Sequence, residues 1–143
     1  RVSRRQRQMC IRDRINNGRV YSTDVCLPIS KITECVNFAE AQTKKLGLRA
    51  PMVGHLGDGN FHVILPYDPK EEGTYNKIRD FSDLLIEKTL ELNGTITGEH
   101  GVGLHKKAYL LKEHGDCIPL MKSIKRSIDQ NNIMNPGKIF DLN

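Results

Sequence analysis

An α+β fold is expected of this chain, with helices packed on one face of an antiparallel sheet in a ferredoxin-like, split β-α-β order and further helices at the C-terminal end. Three observations carry that expectation. Two segments, 32–46 and 70–92, repeat apolar residues every three or four positions, as amphipathic helices do. Stretches rich in β-branched and apolar residues flank each of them. A Gly57-Asp58-Gly59-Asn60 run separates two such stretches and reads as a chain reversal.

Taken in order, Val20–Ile29 reads as a strand, with Pro28 near its end, where a missing N–H is tolerated. Ser30 is placed to cap the following helix, and Glu34 lies close to capping-box spacing. That helix turns Ile32, Cys35, Val36, Phe38, Ala39, Ala41 and Leu46 inward and stops at Gly47. Ala50–Leu56 and Phe61–Pro66 form the arms of a hairpin. Asp68–Glu72 opens a long helix with Tyr75, Ile78, Phe81, Leu84, Leu85, Thr89 and Leu92 on its buried face, closed by Asn93-Gly94. Thr95–Thr97 is a short fourth strand. Helices over Lys106–His114 and Ile118 to about Gln130 follow, the second with Leu120, Met121, Ile124 and Ile128 inward. An irregular tail runs through Asn135-Pro136-Gly137.

The 143 residues suit one domain. No apolar run approaches the ~18 residues of a membrane span. The net charge of +5 is localised: residues 1–14 hold six Arg against one Asp, leaving sixteen bases and sixteen acids in the remainder. A balanced domain gives no ground for a nucleic-acid partner. The Arg-rich stretch also reads as the translation of a sequencing-library adapter ending Met-Cys-Ile-Arg-Asp. It is therefore set aside as a disordered, adapter-derived artefact, with residues 15–143 as the domain. The competing reading is a basic arm for RNA, DNA or anionic lipid. Beyond it, Cys26, Cys35 and Cys117 make an odd set with no C-x-x-C spacing. They read as small buried apolar residues of an intracellular chain, with no structural disulfide. The compartment itself is left open among cytoplasm, the periphery of an inner membrane and the mitochondrion.

Two segments concentrate the uncommon residue types. In His55-Leu56-Gly57-Asp58-Gly59-Asn60-Phe61-His62, a reversal at the glycines brings both imidazoles over one spot, which a straight strand would not. In Gly98-Glu99-His100-Gly101-Val102-Gly103, flanking glycines permit an irregular path that aims Glu99 and His100 into the same place. His55, His62 and Glu99 then make a three-ligand set for a divalent ion such as Zn²⁺ or Mn²⁺, with a position left open. His100 stays free as a proton acceptor. The alternative left open by spacing alone is plainer: His55 and His62 as strand histidines satisfied by backbone groups, and Glu99 as a solvent-facing turn residue. His105, His114 and the Lys106-Lys107 pair read as solvated surface.

The segment His55–His62 resembles the H-x-G-D-G-N-x-H signature of the C-terminal domain of FAD-linked oxidases, flavoenzymes of the vanillyl-alcohol-oxidase type. Thr97–Gly103 is similar to the family's second motif, Ile133–Lys138 to its closing one, and Asp24–Ser30 to a segment of D-lactate dehydrogenase-like members. The resemblance covers Val20 to Phe140, closest to the D-lactate dehydrogenase (cytochrome) and glycolate oxidase flavin-subunit groups. It implies a C-terminal fragment of an FAD-dependent 2-hydroxy acid dehydrogenase, with a separate N-terminal FAD-binding domain missing from this chain. The fragment alone is expected to be inactive. By the same resemblance His55, His62 and Glu99 bind the divalent metal, His100 is the catalytic base, and Asn135 lies near the flavin. Asp58 and Asn60 are assigned to holding the hairpin.

Members acting on D-2-hydroxyglutarate carry an Asn two residues after the second motif histidine. Here that position is Ile64, which favours D-lactate or a similar monocarboxylate. The electron acceptor is left open. Two rival readings remain at this stage, a divalent-metal hydrolase using the same three ligands and a non-catalytic fragment.

Overall fold

Strands β1 (Arg19–Ser22) and β2 (Val25–Cys26) lie along one edge of the long central strand β4 (Asn60–Tyr67), and β3 (Met52–His55) lies along the other. The computed structural model describes residues 18–142, so the Arg-rich stretch 1–14 lies outside the described residues. β1 and β2 share one antiparallel register with β4, from Arg19 opposite Tyr67 to Cys26 opposite Asn60. They are one strand interrupted at Thr23-Asp24. A single bridge from Cys26 to Thr95 extends the sheet beyond them. The lateral order is therefore β3, β4, β1/β2, Thr95, the ferredoxin-like arrangement expected of the element order.

Pleating sorts the side chains. Phe61, Val63 and Leu65 of β4, with Val25 opposite, face the helices and build the main core with Cys35, Ala39, Ile78, Phe81 and Leu85. Those helices are α1 (Ile32–Leu46) and α2 (Thr74–Glu91). The alternate positions Asp24, Asn60 and His62, with Val53 and His55 on β3, fall on the helix-free face. Helices α3 (Lys107–His114) and α4 (Ile118–Ile128) follow and close a smaller core of Ile86, Ile96, Leu110 and Ile118.

The structure differs from the sequence expectation at several points. Ser30 makes no capping bond, because a 3₁₀ turn over Ile29–Lys31 follows Pro28 and leads directly into α1. α2 starts only at Thr74, since Asp68–Glu71 close a turn of their own, with Glu71 N–H on the Asp68 carbonyl. Ala41 is exposed on α1. Tyr75 and Leu84 are also exposed, the first lying beside Tyr67 at 5.6 Å. The fourth strand shrinks to its one bridge, because Ile96 N–H turns to the Glu113 carboxylate and the Thr97 hydroxyl to Asp24. Cys117 is exposed, whereas Cys35 is buried against the Thr89 hydroxyl, and burial pushes its thiol pKa up.

The largest departure concerns α4. Only Ile118 is buried and Met121 half-buried, while Leu120, Ile124 and Ile128 are 64%, 52% and 73% exposed. Periodicity reports that a helix has an apolar face; it does not report whether the same chain covers it.

Candidate metal and proton-transfer site

The break at Thr23-Asp24 builds the site. Thr23 N–H stays in the ladder on the Val63 carbonyl, but the Thr23 carbonyl leaves it and accepts from His62 Nδ1 at 3.0 Å. The Val63 N–H that this would orphan is taken by the Thr23 hydroxyl at 2.9 Å, so no buried donor is lost. A carbonyl can only accept, which puts the His62 proton on Nδ1 and leaves Nε2 facing outward. Glu99 Oε1 stands 2.7 Å from that Nε2. The Nε2 lone pair and the Glu99 carboxylate together make an outward-facing donor set of the kind that holds a cation.

Asp24 faces His62 across the strand pair, its Oδ1 3.6 Å from His62 Nδ1, and is 3% exposed. Its carboxylate accepts from the backbone N–H groups of Gly98, Glu99 and His100, the Thr97 hydroxyl, Asn60 Nδ2 and Lys106 Nζ. Burial by itself raises the carboxyl pKa. The His100 amide, then the Lys106 charge, the Thr97 hydroxyl and the Glu99 amide outweigh it and hold it at about 2. Close approach is needed too: a Cβ on Gly98 would overlap the Asn60 side-chain amide.

His62, Glu99 and His100 are thus brought together. The His100 ring lies edge-on to His62 with centroids 5.2 Å apart, its Nε2 3.8 Å from Glu99 Oε1. His55 is not in this contact group. It sits exposed at the end of β3, opposite Asn60, on the face that also carries His62, two residues along from the Val53–His62 pair. Such diagonal neighbours stand ~7–8 Å apart. Ligand atoms of Asp24, His62 and His100 also lie within 4.8 Å of one another. Asp24 is a poor ligand despite that proximity, because its oxygens already accept from six groups' worth of amide, hydroxyl and ammonium donors. The donor chemistry that fits a cation is the outward pair, His62 Nε2 and Glu99.

Several assignments change. Lys106 is not a solvated residue: its side chain is 18% exposed, and its ammonium donates to the Asp24 and Ile96 carbonyls. Lys107 pairs with Asp141 and reaches the Gly137 carbonyl. Asn60 does not hold the hairpin; it bonds Asp24, and its Oδ1 is buried without a partner. The hairpin turns instead on a 3₁₀ segment, Leu56–Asp58, ending at Gly59. Asn135 lies exposed at φ +48 in a turn, and Ile139 N–H ties that tail to the Gly103 carbonyl. Sequence reasoning missed Asp24 and Thr23, since nothing local marks a break in a β-branched run.

Fold and site together define an α+β domain that carries an imidazole–carboxylate pair and a free imidazole on its helix-free face. The family model for the C-terminal domain of FAD linked oxidases matches residues 4–139, and the chain belongs to that family, a family of FAD-linked oxidoreductases. The matched span begins inside the Arg-rich stretch. A probable mitochondrial D-lactate dehydrogenase of Danio rerio is 41% identical over 125 residues, covering 87% of this chain and 25% of that protein. Glycolate oxidase subunit GlcD of Bacillus subtilis is 38% identical over 120 residues (82% and 25%). A D-2-hydroxyglutarate dehydrogenase of Stutzerimonas stutzeri is 31% identical over 135 residues (91% and 29%). The chain spans about a quarter of the length of these curated relatives. No helix among the described residues is long and apolar enough to cross a membrane.

Proposed function

We propose that this chain supplies the substrate-side part of the active site of an FAD-dependent D-2-hydroxy acid dehydrogenase, of the D-lactate or glycolate type, which oxidises a 2-hydroxy acid to the 2-oxo acid. The observation that carries the reading is His62 Nε2 against Glu99 Oε1 at 2.7 Å, with His100 beside them, in a member of this family. When bound, the flavin accepts the C2 hydride, and a divalent ion such as Zn²⁺ or Mn²⁺ acts as a Lewis acid.

The chain's own residues do the rest. His62 and Glu99 would hold the ion, with His55, next along the same sheet face, completing the set. The bond from His62 Nδ1 to Thr23 keeps the ring in the tautomer that leaves Nε2 free to ligate. His100, with its side chain 64% exposed, meets a substrate arriving from solvent and takes the hydroxyl proton. Ile64, buried two residues beyond His62, gives that part of the sheet face an apolar character that suits a monocarboxylate better than a dicarboxylate. The tail turn at Asn135, held beside the second motif through Gly103, is assigned toward the flavin. The remaining flavin contacts belong to an FAD-binding domain elsewhere in a longer parent. The uncovered apolar face of α4 supports such a parent.

The test uses the full-length parent, mixed anaerobically with D-lactate, glycolate or D-2-hydroxyglutarate while flavin absorbance is followed. Bleaching is expected, strongest with the monocarboxylates. His100→Ala should slow it by ~10²–10⁴ with flavin retained. Absence of bleaching with all three acids removes the functional reading, and near-normal turnover in His100→Ala removes the base assignment alone.

A further inference from the structure

Residues 98–103 form no helix or strand, and Gly101 and Gly103 adopt φ +72 and +55. Such a segment has no ladder to hold it, so its backbone donors must find partners elsewhere. The first three find them on one residue. Three consecutive amides, Gly98, Glu99 and His100, donate to the Asp24 carboxylate at 2.9–3.2 Å. The Thr97 hydroxyl joins them at 3.0 Å. At the far end of the loop Lys106 closes back, donating to the Asp24 carbonyl at 2.9 Å and the Ile96 carbonyl at 2.8 Å.

We infer that Asp24 is the positioning residue of this site: its buried carboxylate clamps the Thr97–His100 backbone, and so fixes where the Glu99 carboxylate and the His100 ring stand relative to His62. The inference rests on the proposed function, and it adds a residue that neither ligates nor accepts the substrate proton. The strand break then has one purpose expressed through two neighbours. The Thr23 carbonyl orients the His62 ring, and the Asp24 carboxylate orients the two side chains that meet it. Because amides, hydroxyl and ammonium saturate its oxygens, Asp24 acts through the loop and not on the ion.

The test compares wild type, Asp24→Asn and Leu85→Ala in the full-length holoenzyme. Asn keeps the volume but turns an NH₂ group toward at least one backbone donor. Leu85→Ala lowers stability from the core without touching the loop. Two readouts are taken: release of bound Mn²⁺ or Zn²⁺ into excess chelator, and kcat and KM for D-lactate. Asp24→Asn should release the metal ~10–100-fold faster and lower kcat ~100-fold, with KM changed much less. Leu85→Ala should move neither, whatever it does to the melting temperature. Metal release and kcat within twofold of wild type in Asp24→Asn would overturn the inference, as would equal losses in Leu85→Ala. Should Asp24→Asn fail to fold, Thr97→Val removes a single bond to the same carboxylate. It should speed metal release several-fold, and unchanged release overturns the inference equally. If wild type bleaches with no 2-hydroxy acid, the functional reading fails on its own, while the metal-release comparison still decides the role of Asp24.

Discussion

Asp24 shows how one buried charge can be both a structural anchor and a pH-sensitive element. Its carboxyl titrates at about 2 in the folded protein against an ordinary 3.8, so acid protonates the unfolded chain first. The stability it contributes is complete above pH ~4 and is lost as the pH falls toward ~2. The magnitude is on the order of 2 kcal/mol. The melting-temperature gap between wild type and Asp24→Asn should therefore be wide at neutral pH and narrow between those two values. A gap that ignores pH contradicts the assignment. His62 was legible as a site residue because its spacing from His55 across a glycine turn is chemically suggestive. Its partner carbonyl at Thr23 was not, since any residue has a carbonyl and only the fold decides which one is released from its ladder.

At the scale of elements, the hairpin is where local chemistry and tertiary contact agree most closely. Gly59 sits at φ +82, with its carbonyl accepting Leu27 N–H at 2.9 Å, and a Cβ there would overlap the Leu27 carbonyl. Gly57 has open space around it and no positive φ. Gly59→Ala should cost at least ~2 kcal/mol in urea unfolding, through backbone strain and displacement of the neighbouring strand, whereas Gly57→Ala should be nearly neutral. Equal effects would mean that the turn is not pinned against Leu27. The helices α1 and α2 were readable from their period, but their starts were not. Turn-forming residues outside each helix, Pro28 and Asp68, set where helical hydrogen bonding begins.

For the whole molecule, the informative surface is α4. Leu120, Ile124 and Ile128 recur at the spacing of one helical face, and Ile133 and Met134 follow them exposed. An apolar row of this kind is seldom left in water. On the proposed function, the occupant of this face is the flavin-binding part of the parent enzyme. Leu120→Glu with Ile124→Glu in that parent should leave the helix content intact. Limited proteolysis between the two parts should be about tenfold faster, as local opening becomes easier. An unchanged cleavage rate would leave the face without this role.

By itself the sequence determined the element order, the two helical faces that make the main core, the glycine reversal and the residue types gathered in its two motifs. These are properties of spacing along the chain, where periods of two and 3.6 and the conformational freedom of glycine act locally. The tertiary structure alone decided that the first strand breaks at Thr23-Asp24, that Asp24 and Lys106 hold the second motif, and that α4 turns its apolar row outward. Those outcomes depend on which donors and acceptors meet after residues far apart in the chain are brought together. No local pattern encodes such a meeting, because a buried carboxylate is stable only where distant amides converge on it.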